Sequence, residues 1–176
     1  MTETGDDLPP GRVAARIVAH LNAGETEAAN ELFEDYASED RYHQTLYPVL
    51  FDAAEEYHDT GRPAEAVSVM RFVVEQYPDG NAAKEALLYS LFLLRAEAGK
   101  ADRLMLDEMG VLLDELEGEP QNPAWIQLIS TQYWIDRDRP REAKRAFEQF
   151  ESEWNGRPSY LASYVTEIER WLQTNA

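Results

Sequence analysis

An all-helical solenoid, about four antiparallel helical hairpins closed by one further helix, is the fold class this sequence predicts. Three observations predict it. Apolar residues recur at one-face helical spacing in segment after segment. Four turn centres, Gly24, Gly61, Gly99 and Asp138, follow one another at intervals of 37, 38 and 39 residues. A hairpin of this size cannot bury both of its apolar stripes alone, so it needs copies of itself as neighbours.

In chain order, residues 1–9 read as a flexible acidic tail, and residues 10–176 as one repeat domain. The first hairpin, about 10–37, carries Val13, Ile17, His20 and Leu21 on one stripe and Ala28, Ala29, Leu32, Phe33 and Tyr36 on the other. Thr26 is placed to cap its second helix, because a hydroxyl can accept an otherwise unpaired N–H. In residues 38–48, Ser38 is placed to cap a helix, and Pro48 either starts the next helix or kinks a long one. Tyr42, His43 and Tyr47 cluster there as aromatic filler or as a ligand-contacting patch.

The second hairpin, about 47–78, is the clearest. Leu50, Phe51, Ala54 and Tyr57 form its first stripe, and Ala66, Val67, Met70, Val73 and Val74 its second. Gly61 ends the first helix, since the residue past the last turn often needs a left-handed backbone. Pro63 opens the second helix, where its missing N–H costs nothing. The third hairpin, about 82–117, begins with a helix apolar nearly all round, as an inner helix buried on both sides would be. Arg95 on that helix either reaches a neighbouring acid or marks a slip in register. Gly110 costs about 1 kcal/mol against alanine in a helix interior, which points to close helix packing or a kink. The fourth hairpin spans about 123–155, and an amphipathic helix over 159–173 either caps the array or pairs chains.

Set side by side, the segments match. Trp134 falls on Tyr57, Asp138 on Gly61, Pro140 on Pro63, Ala143 on Ala66, Phe147 on Met70 and Phe150 on Val73. The chain thereby resembles the tetratricopeptide repeat family. Leu50, Ala54, Tyr57, Gly61, Ala66 and Pro78 stand where that family places its large, small, aromatic, glycine, small and proline residues. The resemblance covers roughly residues 10–155. It departs from the family in its period, which exceeds about 34 residues. It departs also in Arg95 and His20 at the aromatic place, Leu104 at a small place, and the missing proline of the fourth copy.

The resemblance implies a right-handed α–α superhelix with a concave groove lined by the first helix of each hairpin. Phe51, Glu55, His58, Tyr89, Leu93, Trp125, Leu128 and Gln132 are the residues it turns toward that groove. Family members that grip a peptide's carboxylates do so with lysines and asparagines. Here the equivalent places hold Ala14, Val18, Asp52, Ala86 and Ser90, so no such clamp is expected.

Charge narrows the partners. The chain has 34 Asp and Glu against 16 Lys and Arg, a net charge of −18. That field repels nucleic acid and anionic membranes. It fits either adaptation to a salt-rich milieu or the steering of a basic partner. There is no cysteine, hence no disulfide framework and no thiolate chemistry. No HExxH, phosphate-binding glycine loop or nucleophile elbow occurs, and acid pairs are expected by chance at this acidity. MTETGDDLPPGR shows no targeting peptide, and the longest apolar run, Leu91 to Leu94, is far short of the ~18 residues a membrane helix needs. The expectation is a cytoplasmic, non-catalytic adaptor without cofactor or metal. Its partner is a protein or peptide, basic or amphipathic and helical. The alternative is a self-assembling structural protein using the 159–173 helix.

Overall fold

A computed structural model describes residues 8–37, 40–117, 123–156 and 159–175. The described residues are helical and contain no strand. The helices are α1 (Pro10–Asn22), α2 (Thr26–Ala37), α3 (Asp40–Asp59), α4 (Pro63–Gln76), α5 (Asn81–Ala98), α6 (Arg103–Leu116), α7 (Pro123–Asp136), α8 (Pro140–Glu153) and α9 (Ala162–Asn175). A single 3-10 turn, Ser159–Leu161, leads into α9. The chain falls into two compact units, residues 1–90 and 91–176, with the boundary inside α5.

The four turn centres share a backbone conformation. Gly24, Gly61, Gly99 and Asp138 all have positive φ, at 77°, 72°, 85° and 58°. Three of the turns share a hydrogen-bond pattern as well. The N–H of Gly61 donates to the His58 carbonyl (3.1 Å) and that of Arg62 to the Tyr57 carbonyl (2.8 Å). Gly24 and Glu25 repeat this onto Leu21 and His20, and Asp138 and Arg139 onto Ile135 and Trp134. It is the paired closure of a helix end by a left-handed residue. At Gly99 one bond remains, to the Arg95 carbonyl at 2.9 Å. The copy that departs at two places, Arg95 and Leu104, is thus the one with the different turn.

In residues 1–90, α1 pairs with α2 and α3 with α4, and α3 packs on both α1 and α2. Ala54 on α3 and Ala66 on α4 are fully buried, as are Val13, Ile17, Leu50 and Met70. A chain of rings joins three helices. Phe72 stands edge-on to Phe33 (5.6 Å), Phe33 to Tyr77 (5.9 Å) and Tyr77 to Tyr47 (4.8 Å), while Tyr47 stacks on Phe51 (6.1 Å). Burial, then the neighbouring Tyr47, pushes the Tyr77 phenol up to about 12. Pro48 starts no helix: it lies inside α3, which is already helical at Asp40. The second hairpin therefore begins well before residue 47. Thr26 is the first residue of α2, one place beyond a cap. Ser38 and the side chains of Tyr42 and His43 lie outside the described residues.

In residues 91–176, α7 pairs with α8, α6 packs on α7, and α9 on α8. Leu128, Phe147, Phe150, Leu161, Val165 and Ile168 form its core, with Trp125, Trp154, Tyr164 and Leu172 around them. The apolar stripe of α9 is thereby covered within its own chain, and Tyr164 also meets Phe92 edge-on at 5.0 Å. Gly110 has a packing reason: a Cβ there would sit 2.7 Å from the Tyr133 hydroxyl. Asp102 caps α6, its carboxylate accepting the Met105 N–H at 2.8 Å. All four tryptophans, Trp125, Trp134, Trp154 and Trp171, belong to this unit.

Arg95 reaches a neighbouring acid. Its guanidinium donates twice to Asp136, at 2.8 and 3.0 Å. Asp136 also accepts the Ala101 N–H (3.3 Å) and the Gln132 side-chain amide (3.2 Å). This one carboxylate ties the α5–α6 turn to α7, and it does so at the turn that lacks the second backbone bond.

Candidate functional site

The two described recesses of comparable size belong one to each unit. In residues 1–90, α1 and α3 leave a trough of about 620 Å³ between them. Its floor is made of small side chains, Ala14, Ala15, Val18, Val49 and Ala53 with Gly11, which let the two helices lie close without filling the space above. Asp52 and Glu56 stand on its rim one helical turn apart. Both are exposed, and among the described residues neither has an ion pair. The far end is closed by Tyr57, whose hydroxyl accepts from the Asn22 amide at 2.9 Å. Arg62 lies over the Tyr57 ring at 4.9 Å and pairs with Glu65 at 3.0 Å, so the trough's one cation is already neutralised.

In residues 91–176, α6 and α7 enclose a crevice of about 640 Å³, with Val111, Leu113, Ile126 and Trp134 beside Asp107, Asp114 and Glu117. Arg137 lines it too, donating to the Tyr133 hydroxyl (2.7 Å) and to Asp107 (3.4 Å). Its charge balances part of the acidity. Val111 on the rim is 56% exposed and Leu104, seven residues earlier on α6, 81%.

The residues expected to face one groove divide between the units. Phe51 is half-buried at the end of the ring chain, and Glu55 is exposed. His58 and Tyr89 meet edge-on at 5.2 Å. Leu93 is half-buried, and Trp125 packs on the core of its unit. Leu128 has no exposed surface, and Gln132 is 7% exposed and bonded to Asp136, so neither is open to a partner.

The α1–α3 trough is instead lined by Asp52 and Glu56, one position along the helix from Phe51 and Glu55, together with Ala53. Ala14, Val18 and Asp52 had been singled out in the sequence as clamp places lacking the clamp. They do line the trough. The readable signal was the run of alanines on the inner positions, which leaves room where larger residues would close it.

His58 places a histidine ring against a serine hydroxyl, that of Ser90. The Ser90 hydroxyl is fully buried and donates to the Ala86 carbonyl at 2.7 Å. With its hydrogen on that carbonyl it accepts from His58 Nε2, and the neutral ring then carries its hydrogen there. Burial holds the His58 pKa below 6.5, opposed by the charge of Asp59. The unfolded chain therefore binds the proton more readily, and stability present above pH 6.5 is lost as pH falls toward the folded value. Melting curves between pH 7.5 and 5.5 are expected to show a decline in the native chain that His58→Gln lacks. Equal slopes for the two would remove this assignment.

Among the described residues no group of His, Asp and Glu is placed to hold a metal, and no buried side-chain nitrogen or oxygen lacks a partner. No described helix is long and apolar enough to cross a membrane. Compared with family models, with curated proteins and with solved structures, the chain finds no match.

Proposed function

We propose that this chain is a non-catalytic interaction module, a tetratricopeptide-like stack of hairpins in a right-handed superhelix. Its α1–α3 trough receives a cationic segment of a partner chain. One observation carries the reading: an apolar floor flanked by Asp52 and Glu56, two carboxylates with no cation of their own. Helix-in-groove recognition needs an apolar strip for the partner's apolar face and opposite charge along its edge. The repeated turns support the stack, and the net charge of −18 supports a basic partner brought in by attraction. A cytoplasmic adaptor is the role that goes with this reading.

The test uses a labelled helical peptide of alternating leucine and lysine stripes, read by fluorescence anisotropy at 0.15 M salt. Reversing Asp52 and Glu56 to lysine is expected to weaken binding about tenfold, or about 1.4 kcal/mol. The same charge change at exposed Glu97 and Glu167 is expected to alter it little. Ala53→Trp fills the trough without touching charge and is expected to abolish binding. An equal loss from both charge pairs, with no effect of Ala53→Trp, would reduce the interaction to a general field and overturn the proposal.

A further inference from the structure

Residues 137–145 run against the charge of the whole chain, with five basic residues against two acidic ones, Asp138 and Glu142. Five of the 16 Lys and Arg residues fall in these nine positions, at Arg137, Arg139, Arg141, Lys144 and Arg145. Arg137 is engaged by Tyr133 and Asp107. The other four are exposed and have no ion pair among the described residues. Ala143, Phe147 and Phe150 bury the opposite face of α8, which turns Arg141, Lys144 and Arg145 outward. Residues 1–90, by contrast, hold 18 Asp and Glu against 6 Lys and Arg.

We infer that the occupant of the α1–α3 trough is a second copy of this chain, seating the basic N-terminal part of its α8 against Asp52 and Glu56, with the aliphatic stems of Arg141 and Arg145, rather than the buried apolar face of α8, lying over the floor. The inference rests on the trough being a docking site, as proposed above, and names what docks there. The spacing matches. Asp52 and Glu56 are four residues apart on one helix, and Arg141 and Arg145 four residues apart on the other, about 6 Å in both cases. Each carboxylate can then face one guanidinium, the pairing with the best geometry for two hydrogen bonds. The contact is heterologous, joining different patches on the two copies. Each copy in a dimer keeps one free half, and further copies can add until a ring closes or the supply ends. Overall repulsion between two chains of −18 acts over the screening length, about 8 Å at physiological salt. Pairs in contact survive that screening better than the repulsion does.

Sedimentation of the full chain at about 0.1 mM and 0.15 M salt tests this, with circular dichroism confirming that every variant is folded. The native chain is expected to show masses above 20.1 kDa that grow with concentration. Asp52→Asn with Glu56→Gln, and separately Arg141→Gln with Arg145→Gln, are each expected to sediment as monomers. Mixed one to one, each still holds one intact half, so a dimer and nothing larger is expected. A native chain that stays monomeric, or an Arg141→Gln, Arg145→Gln chain that associates as the native one does, overturns the inference. The arginine variant keeps its trough. If it binds the leucine–lysine peptide while the native chain never binds itself, self-docking fails and the docking role of the trough stands. If the peptide also fails to bind, both fall.

Discussion

Replacing Asp136 with alanine is expected to cost residues 91–176 about 3 kcal/mol, read as a lowered midpoint in chemical denaturation. The Asp136 side chain is 5% exposed and that of Arg95 16%. Removing one partner of a buried pair leaves the other charge without compensation, which typically costs 3–5 kcal/mol. The residual exposure of Arg95 sets the value at the lower end. The Ala101 N–H and the Gln132 amide lose their acceptor as well, so the α5–α6 turn is expected to loosen with the pair. Asp136→Asn keeps the shape and one acceptor oxygen, and is expected to cost about half as much. Arg95→Met combined with Asp136→Leu is expected to recover part of the loss, because well-packed apolar groups can replace a buried ion pair. A cost below about 1 kcal/mol for the alanine variant would mean that the pair is not held as described.

Phe33→Ala is expected to remove about 3–5 kcal/mol from residues 1–90, the usual range for deleting a buried phenyl ring. Phe33 is 4% exposed and is the hub of the ring chain, touching Phe72 on one side and Tyr77 on the other. Edge-to-face pairs contribute about 0.5–1.5 kcal/mol beyond the area they bury. Phe33→Leu keeps most of the volume and loses the ring geometry, so it is expected to cost less than half of the alanine value. Phe51→Ala serves as the internal comparison. Phe51 ends the chain of rings, is half-buried and stacks on Tyr47, so about 1 kcal/mol is expected. If the Phe51 and Phe33 variants cost the same, the hub assignment is wrong.

Sequence and structure agree where the physics is local. A left-handed residue between two helices announces itself as glycine, and Gly24, Gly61 and Gly99 were readable for that reason. Asp138 was readable only by alignment with them, because an aspartate tolerates that conformation without requiring it. The all-helical class followed from the periodicity of the stripes. What could not be read was relational. Arg95 and Asp136 lie 41 residues apart, and nothing local to either marks the other as its partner. The rotation of α3 was also hidden. An error of one residue turns a helix by about 100°, enough to exchange Phe51 and Glu55 for Asp52 and Glu56 on the trough. Leu128 and Trp125 looked like groove residues because an apolar inner face and a covered core face carry the same side chains. Only the placement of α9 tells them apart, and that placement depends on contacts distant in sequence.

The distribution of indoles has an optical consequence. Because no tryptophan precedes residue 125, emission excited at the red edge of the protein band comes from residues 91–176 alone. The tyrosines do not divide in this way, six lying in residues 1–90 and three in residues 91–176. The temperature or denaturant at which residues 91–176 let go can therefore be followed on its own, without any label, and compared with the loss of helix in the whole chain.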